Sequence, residues 1–429
     1  MKELLIKNGR IIDPSSNTDT IADIVVSNGR IKQIGTSLYS SEATIVDATS
    51  QIVSPGFIDL HCHLREPSDI DTETIRSGSQ AAAKGGYCTI CCMPNTNPPL
   101  DNLPMITYIK TVAEKEAQVR VLPIGCITKG RAGKELSEML AMSGAGVVGF
   151  SDDGSFVSSP NLMRRAMEYS ASLGLPIIEH CEDADLACGG QINEGIIATS
   201  LGLQGIHPIA ETIAVARDIL LAEMTDARLH IAHISAKGTL ELIRLAKKRG
   251  VKVTCEVTPH HLTLTEEYAL GYNTFAKVSP PLRTQSDINA LIEGLVDGTI
   301  DAVATDHAPH PDKSKQCEFA VSSFGISGFE TSLALLMTLV HQGKITLPML
   351  IAKLTSAPAS ILQMRIGTLE IGAPADITIF DPHKKWQVKT ANFVSKGRNN
   401  PLDGQTLTGK VNTTIYGGNI VYQCENNQE

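Results

Sequence analysis

Residues 56–67 read GFIDLHCHLREP. An apolar, strand-like run ends in His61 and His63, and Arg65 stands two places further on. In an extended chain, alternate residues project from one face. His61, His63 and Arg65 then point into one space, while Cys62 and Leu64 point away. Two imidazoles and a fixed cation converging on one spot suggest a metal site that handles an anionic substrate.

Working outward, the same kind of run recurs. After residues 56–63 come CTICCMPN (88–95), VRVLPIGCI (119–127), GVVGFSDD (146–153), LPIIEHCED (175–183), RLHIAHIS (228–235), VKVTCEVTPHH (251–261) and IDAVATDHAPH (300–310). Stretches of helical composition follow them, for example NLMRRAMEYSASLG (161–174) and GTLELIRLAKKRG (238–250). Short β-branched runs alternating with helical text signal βα units and a parallel sheet. Eight such units predict a (β/α)8 TIM-like barrel, an α/β fold whose active site lies at the C-terminal ends of the strands. Most runs end in a polar residue: His61 and His63, Asn95, Asp153, His180, His233, His260 and Asp306. An apolar strand gains no stability from such an ending, so the repetition gathers chemistry at one rim.

The two ends of the chain read differently. LLIKNGRII (4–12) and DIVVSNGRIKQIG (23–35) each carry Asn-Gly within β-rich text, which predicts a hairpin turn in each. The last part, from GTLEIGAPADITIFDP (367–382) to GKVNTTIYGGNIVYQ (409–423), is also strand-and-turn text. Pairing the two flanks would cover exposed strand edges. The expected domains are therefore a β-sandwich from residues 1–53 and 364–429 beside a barrel of residues 54–363.

Composition bounds the function. The chain has 429 residues, 42% hydrophobic and 19% charged, with a net charge of −9. Neither nucleic acid nor a membrane surface is expected as a partner, because no basic run is present. No uninterrupted apolar stretch of about 18 residues predicts a membrane span. The first residues, MKELLIKNGRIIDP, lack the apolar centre of a signal peptide. Ten cysteines in this length do not form a disulfide framework. Cys88, Cys91 and Cys92 have no second CxxC pair with which to build a thiolate site. Buried free thiols in a reducing cytoplasm are the expectation.

Rim histidines and aspartates suit a borderline divalent ion, most simply zinc. Taken singly, each histidine is as readily a hydrogen-bonded core residue as a ligand, and it is their shared position that argues for the metal. Asp152 and Asp153 are consecutive, so only one can face the site, and alternation does not choose between them. Asp306 beside a metal can hold the ion and also relay a proton. His260 and His261 are read as supporting or packing residues.

PGFIDLHCHLREP, MPNTNPP, DDG, EHCED, AHIS, TPHHL and ATDHAPH together resemble the amidohydrolase superfamily, and within it the dihydroorotases of the bacterial class I type. The resemblance spans nearly the whole chain. It implies zinc, one ion or two, on His61, His63, Asp153, His180, His233 and Asp306, with Asp153 as the bridging carboxylate. It further implies substrate contacts from Arg65, Asn95, Ser279, His310 and the Phe324-Gly325 backbone. The implied reaction interconverts N-carbamoyl-L-aspartate and L-dihydroorotate in pyrimidine biosynthesis. Metal-activated hydroxide attacks the ring amide, and Asp306 shuttles the proton. A homodimer and a complex with aspartate carbamoyltransferase are the expected assemblies.

Two features bear on alternatives. Hydantoinase- and allantoinase-like relatives bridge their metals with a carboxylated lysine, and this chain has no lysine between Lys134 and Lys237. In VSPPLR, Ser279 stands where such relatives usually carry asparagine, so one substrate contact is shortened or bridged by water. A non-catalytic scaffold for aspartate carbamoyltransferase would be expected to lose a ligand, and every proposed ligand is retained. The loop HPDKSKQCEF (310–319) is polar and long enough to move over a substrate.

Overall fold

The computed structural model describes residues 3–424. Its N-terminal part forms β1 (Leu4–Asp13), β2 (Thr18–Ser27), β3 (Arg30–Gly35), β4 (Thr44–Asp47) and β5 (Ile52–Pro55). The central part supplies β6 (Phe57–Cys62), β7 (Tyr87–Cys92), β8 (Arg120–Pro123) and β9 (Ile177–Glu179). A short pair, β10 (Ile192–Asn193) and β11 (Gly205–Ile206), precedes β12 (Leu229–Ile231), β13 (Val253–Val257) and β14 (Ala302–Val303). The chain then adds β15 (Ile377–Gln387), β16 (Thr406–Tyr416) and β17 (Asn419–Gln423).

The central strands pair in parallel. β6, β7 and β8 form one group, and β9, β12, β13 and β14 form another. Phe150 joins them, bridging Gly125 after β8 on one side and Ile177 of β9 on the other. At the far side His307 pairs in parallel with Cys62 of β6. The pairings therefore return to their start. The run at 146–153 takes part through the bridges of Phe150 alone and forms no longer strand.

Helices pack outside this circuit. Ile75, Ile106, Met163, Val215, Leu240, Leu291 and Leu336, each from a different helix, share one apolar cluster with Ile90, Phe150, Ile177, Ile231, Cys255 and Val303. Burying each such side chain stabilises the fold by roughly 1.5–3 kcal/mol. The helix Pro160–Leu173 illustrates the sequence logic. Ser159 caps its first turn by accepting from Leu162 N–H, Pro160 opens it, and Gly174 ends it in the left-handed region. Met163, Ala166, Met167 and Ser170 are its buried face, at the spacing of a helical stripe.

The two chain ends meet in one eight-stranded sheet in the order β17-β16-β15-β5-β1-β2-β3, with β4 paired to β1. The join is the antiparallel pair β5–β15. Ile6, Ile24, Val53, Ile377, Ile379 and Ile415 pack together on it, so both ends contribute to one core.

Of the two Asn-Gly signals, only the second makes a hairpin. Asn28 and Gly29 both have positive φ, 52° and 74°, and link β2 to β3. Asn8-Gly9 instead lies inside β1, where the register shifts between Ile6 and Gly9. The expected turn is thus a bulge. Asn8 N–H donates to Asp23 Oδ1 at 2.8 Å, and a Cβ on Gly9 would collide with Val53. No helix of the described residues is long and apolar enough to cross a membrane.

Candidate metal centre

The C-terminal ends of the parallel strands bring His61, His63, Asp153, His180, His233 and Asp306 together. His61 Nε2 lies 3.3 Å from Asp153 Oδ1 and 3.5 Å from Asp306 Oδ1. His63 Nε2 lies 3.1 Å from Asp306 Oδ1 and 3.6 Å from Asp153 Oδ2. His233 Nε2 is 3.8 Å and His180 Nδ1 3.9 Å from Asp153 Oδ1. Two triads have ligand atoms close enough to hold one ion: His61, Asp153 and His233, and His61, His63 and Asp306. His180 belongs to neither and lies against His233, with Nδ1 to Nε2 at 3.0 Å.

The donor set fits a divalent ion. Among the described residues, His61 Nε2 and Asp153 Oδ1 are buried with no hydrogen-bond partner. Buried polar atoms left this way cost free energy unless something else engages them. Burial disfavours charge on His61, yet the carboxylates of Asp153 and Asp306 outweigh it and raise its pKa well above the ordinary range. These carboxylates therefore favour positive charge at this point. Burial, then the charge of His233, lowers His180 to about 3, so its ring is neutral and able to ligate.

Local backbone geometry aims several of these groups. His233 and Asp306 have φ of 30° and 44°, and Arg65 of 60°. Non-glycine residues adopt this region at a cost of about 1–3 kcal/mol and cluster at functional sites. The paired aspartates separate cleanly. Asp152 turns away and accepts from Ile127 N–H and Thr128 N–H at 2.9 and 3.0 Å and from the Thr128 hydroxyl. Asp153 faces the histidines.

The same rim opens into a cavity of about 590 Å³, lined by Arg65, Asn95, Asp153, Ser279, Asp306, His310, Phe324 and Gly325 among others. Asn95 spans two candidate ligands: its Oδ1 accepts from His63 Nδ1–H at 2.9 Å and its Nδ2 donates to Asp153 Oδ2 at 3.1 Å. Arg65 donates to the Pro309 carbonyl at 3.2 Å. His310 Nε2–H donates to the Phe324 carbonyl at 2.8 Å, while Gly325 N–H donates to the Lys277 carbonyl at 2.9 Å. Ser279 Oγ lies 3.5 Å from Glu182 Oε2. His261 is fully engaged by Thr258 and the Pro280 carbonyl, whereas His260 Nε2 has no partner among the described residues.

Sequence reading missed Glu256 and His230. Both are completely or almost completely buried and contact the site from below, Glu256 Oε1 lying 3.2 Å from His61 Nδ1. A charged residue inside the apolar run VTCEV was the available signal, because buried charge needs a partner.

Comparison with known proteins places this geometry. The fold is similar to the L-hydantoinase (dihydropyrimidinase) of Arthrobacter aurescens, with TM-score 0.88, 28% identity, and coverage of 99% of this chain and 96% of that one. A D-hydantoinase from Thermus sp. gives TM-score 0.85 at 25% identity, covering 98% and 96%. The profile of the family described as Dihydro-orotase-like matches residues 50–239. The dihydroorotase of Thermoanaerobacter sp. (strain X514) is 48% identical over 427 residues, 99% of each chain. That of Pelotomaculum thermopropionicum is 49% identical over 422 residues, 98% of this chain and 99% of that protein. Fold and rim together are those of a hydantoinase-like α/β protein with a His/Asp metal centre. The chain belongs to the dihydroorotase family.

Proposed function

We propose that this chain is a zinc-dependent dihydroorotase of the bacterial class I type, interconverting N-carbamoyl-L-aspartate and L-dihydroorotate in pyrimidine biosynthesis. The observation that carries the reading is the pair of His/Asp triads sharing His61 at the mouth of a cavity that also holds Arg65. The closed circuit of parallel pairings supports a (β/α)8 barrel over residues 54–363, beside a β-domain of residues 1–53 and 364–429. His61, His63, Asp153 and Asp306 would hold one zinc ion, and His180 and His233 offer donors for a second across Asp153.

When bound, zinc supplies Lewis acidity, polarising the ring amide carbonyl and lowering the pKa of water to about 7. The protein supplies the rest. Arg65 grips the substrate carboxylate, for which a guanidinium fork is suited. Asn95, Ser279, His310 and the Phe324-Gly325 wall orient the ring. Burial raises the Asp306 carboxyl, but the charge of His61 and the hydrogen bond from His63 outweigh it and hold it well below the carboxylate range. Asp306 is therefore ionised and can accept a proton. During hydrolysis it takes the proton from attacking water and passes it to the ring nitrogen as the C–N bond breaks. During closure it removes the ureido nitrogen proton.

The solved structures named hydantoinase favour one alternative, a related cyclic amidase. The stretch 135–236 without lysine weighs against it. Turnover of dihydroorotate, hydantoin and allantoin by zinc-loaded protein separates the readings: turnover of dihydroorotate is expected, and turnover of only the other two refutes the proposal. We place the enzyme in the cytoplasm as a homodimer able to engage aspartate carbamoyltransferase. Sedimentation of the chain alone and mixed with that enzyme tests both assemblies.

A further inference from the structure

A column of buried hydrogen bonds descends from the candidate metal centre through the ring of strands. His61 Nδ1 meets Glu256 Oε1 at 3.2 Å, Glu256 Oε2 meets His230 Nε2 at 3.1 Å, and His230 Nδ1 meets Thr254 Oγ1 at 2.8 Å. His61 and Glu256 are 0% exposed and His230 is 1% exposed. Thr254 lies at the wall of a second cavity, lined by Pro176, Arg228 and Val251 at the beginnings of the strands. The column thus joins the two ends of the ring.

Its proton assignments are determined throughout. An ionised carboxylate only accepts hydrogen bonds. His61 must then carry its proton on Nδ1, and His230 on Nε2. His230 Nδ1 is left as an acceptor, and the Thr254 hydroxyl donates to it. With Nδ1 protonated, His61 presents a bare Nε2 to Asp153 and Asp306. That nitrogen is the one without a hydrogen bond among the described residues. The neighbouring buried carboxylate Asp59 takes no part, since it accepts from Thr305 N–H and from the Thr305 hydroxyl, both at 2.7 Å.

We infer that Glu256, held in turn by His230, is a positioning residue that fixes the tautomer and orientation of His61 for metal binding. The inference rests on the metal-centre part of the proposed function and is independent of the substrate. A carboxylate behind a metal-binding histidine fixes the ring and raises its basicity, and its loss typically weakens metal binding about 10–100-fold.

The test is zinc affinity of the full chain, measured by chelator competition after stripping and reloading. Glu256→Gln keeps the shape and an acceptor for His61 but removes the charge, and about tenfold weaker zinc binding is expected. Glu256→Leu removes both, and about a hundredfold loss is expected. His230→Leu, which touches no ligand, is expected to fall near the Gln variant. Thermal midpoints of the metal-free proteins supply the structural readout, and that of Glu256→Gln should match wild type. Partial retention by Gln over Leu, with an unchanged metal-free midpoint, supports the positioning role. Zinc affinities within twofold of wild type in both Glu256 variants overturn it. Equal losses in both that track falling metal-free midpoints also overturn it, as does a wild-type chain that binds no zinc. A chain that binds zinc through this column yet leaves dihydroorotate untouched refutes the proposed reaction and leaves the inference standing.

Discussion

His61 Nε2 and Asp153 Oδ1 face each other across 3.3 Å, and among the described residues neither atom has a hydrogen bond. A cation coordinated by both would remove that cost from the folded state alone. Zinc at a hundred times its dissociation constant should therefore raise unfolding stability by about 2.7 kcal/mol. Asp153→Ala should abolish the increase. Calorimetry with and without zinc checks this, and a chelator should return the wild type to its metal-free midpoint.

Asp152 predicts the complementary behaviour. It is buried and accepts two backbone N–H groups and a hydroxyl, so it ties the chain around Ile127 and Thr128 to the strand end. Removing it leaves buried donors unpaired, which costs roughly 1–3 kcal/mol for each group. Asp152→Ala should lower stability by about that amount or more in metal-free protein, as urea unfolding would show. Metal-free Asp153→Ala should be affected far less.

How far the sequence reveals the site follows from where its residues sit. His61, His63, Asp153, His180, His233 and Asp306 end apolar runs, where a polar residue has no packing reason to be, and the structure brings those ends together. The choice between Asp152 and Asp153 was not legible from alternation, because the strand there shrinks to the bridges of Phe150. Glu256 and His230 were hidden inside strands, where composition reads as core. The Asn8-Gly9 pair misled because its local turn preference is overridden by pairing of β1 on both sides, with β2 and with β4 and β5. The parallel order was legible from the repeat, while the antiparallel join of β5 to β15 is a long-range pairing that no local pattern reports.

Arg65 gives a kinetic prediction. Its side chain lines the cavity, anchored by one bond to the Pro309 carbonyl. Lysine at this position keeps the charge and loses the fork. Arg65→Lys should raise KM for dihydroorotate by roughly 10–100-fold, the equivalent of one or two charge-assisted hydrogen bonds, with a smaller change in kcat. Steady-state kinetics at fixed zinc would measure the split.

Lys315 gives a pH prediction. It sits in the 310–319 loop, 1% exposed, donating to the Thr274 and Lys277 carbonyls at 3.0 Å each. Burial, then the charge of Lys277, lowers its pKa to about 7. Because the unfolded chain keeps this lysine protonated up to about pH 10.4, it binds more protons than the folded chain above pH 7. Folded stability should therefore rise with pH through that window, by about 2–3 kcal/mol between pH 7 and 9 from this group. Lys315→Met should flatten the rise. Urea unfolding of both proteins across that range checks the sign and the size.

The central claim is that Asp306 moves the proton in cyclic-amide turnover at this centre. The most direct test is turnover of L-dihydroorotate by zinc-loaded wild type and by Asp306→Asn, with zinc content measured on the same samples. The account predicts rapid turnover by wild type and a loss of about 10²–10⁴-fold in kcat for the variant at equal zinc content. Comparable rates from both proteins, each fully loaded with zinc, would contradict it.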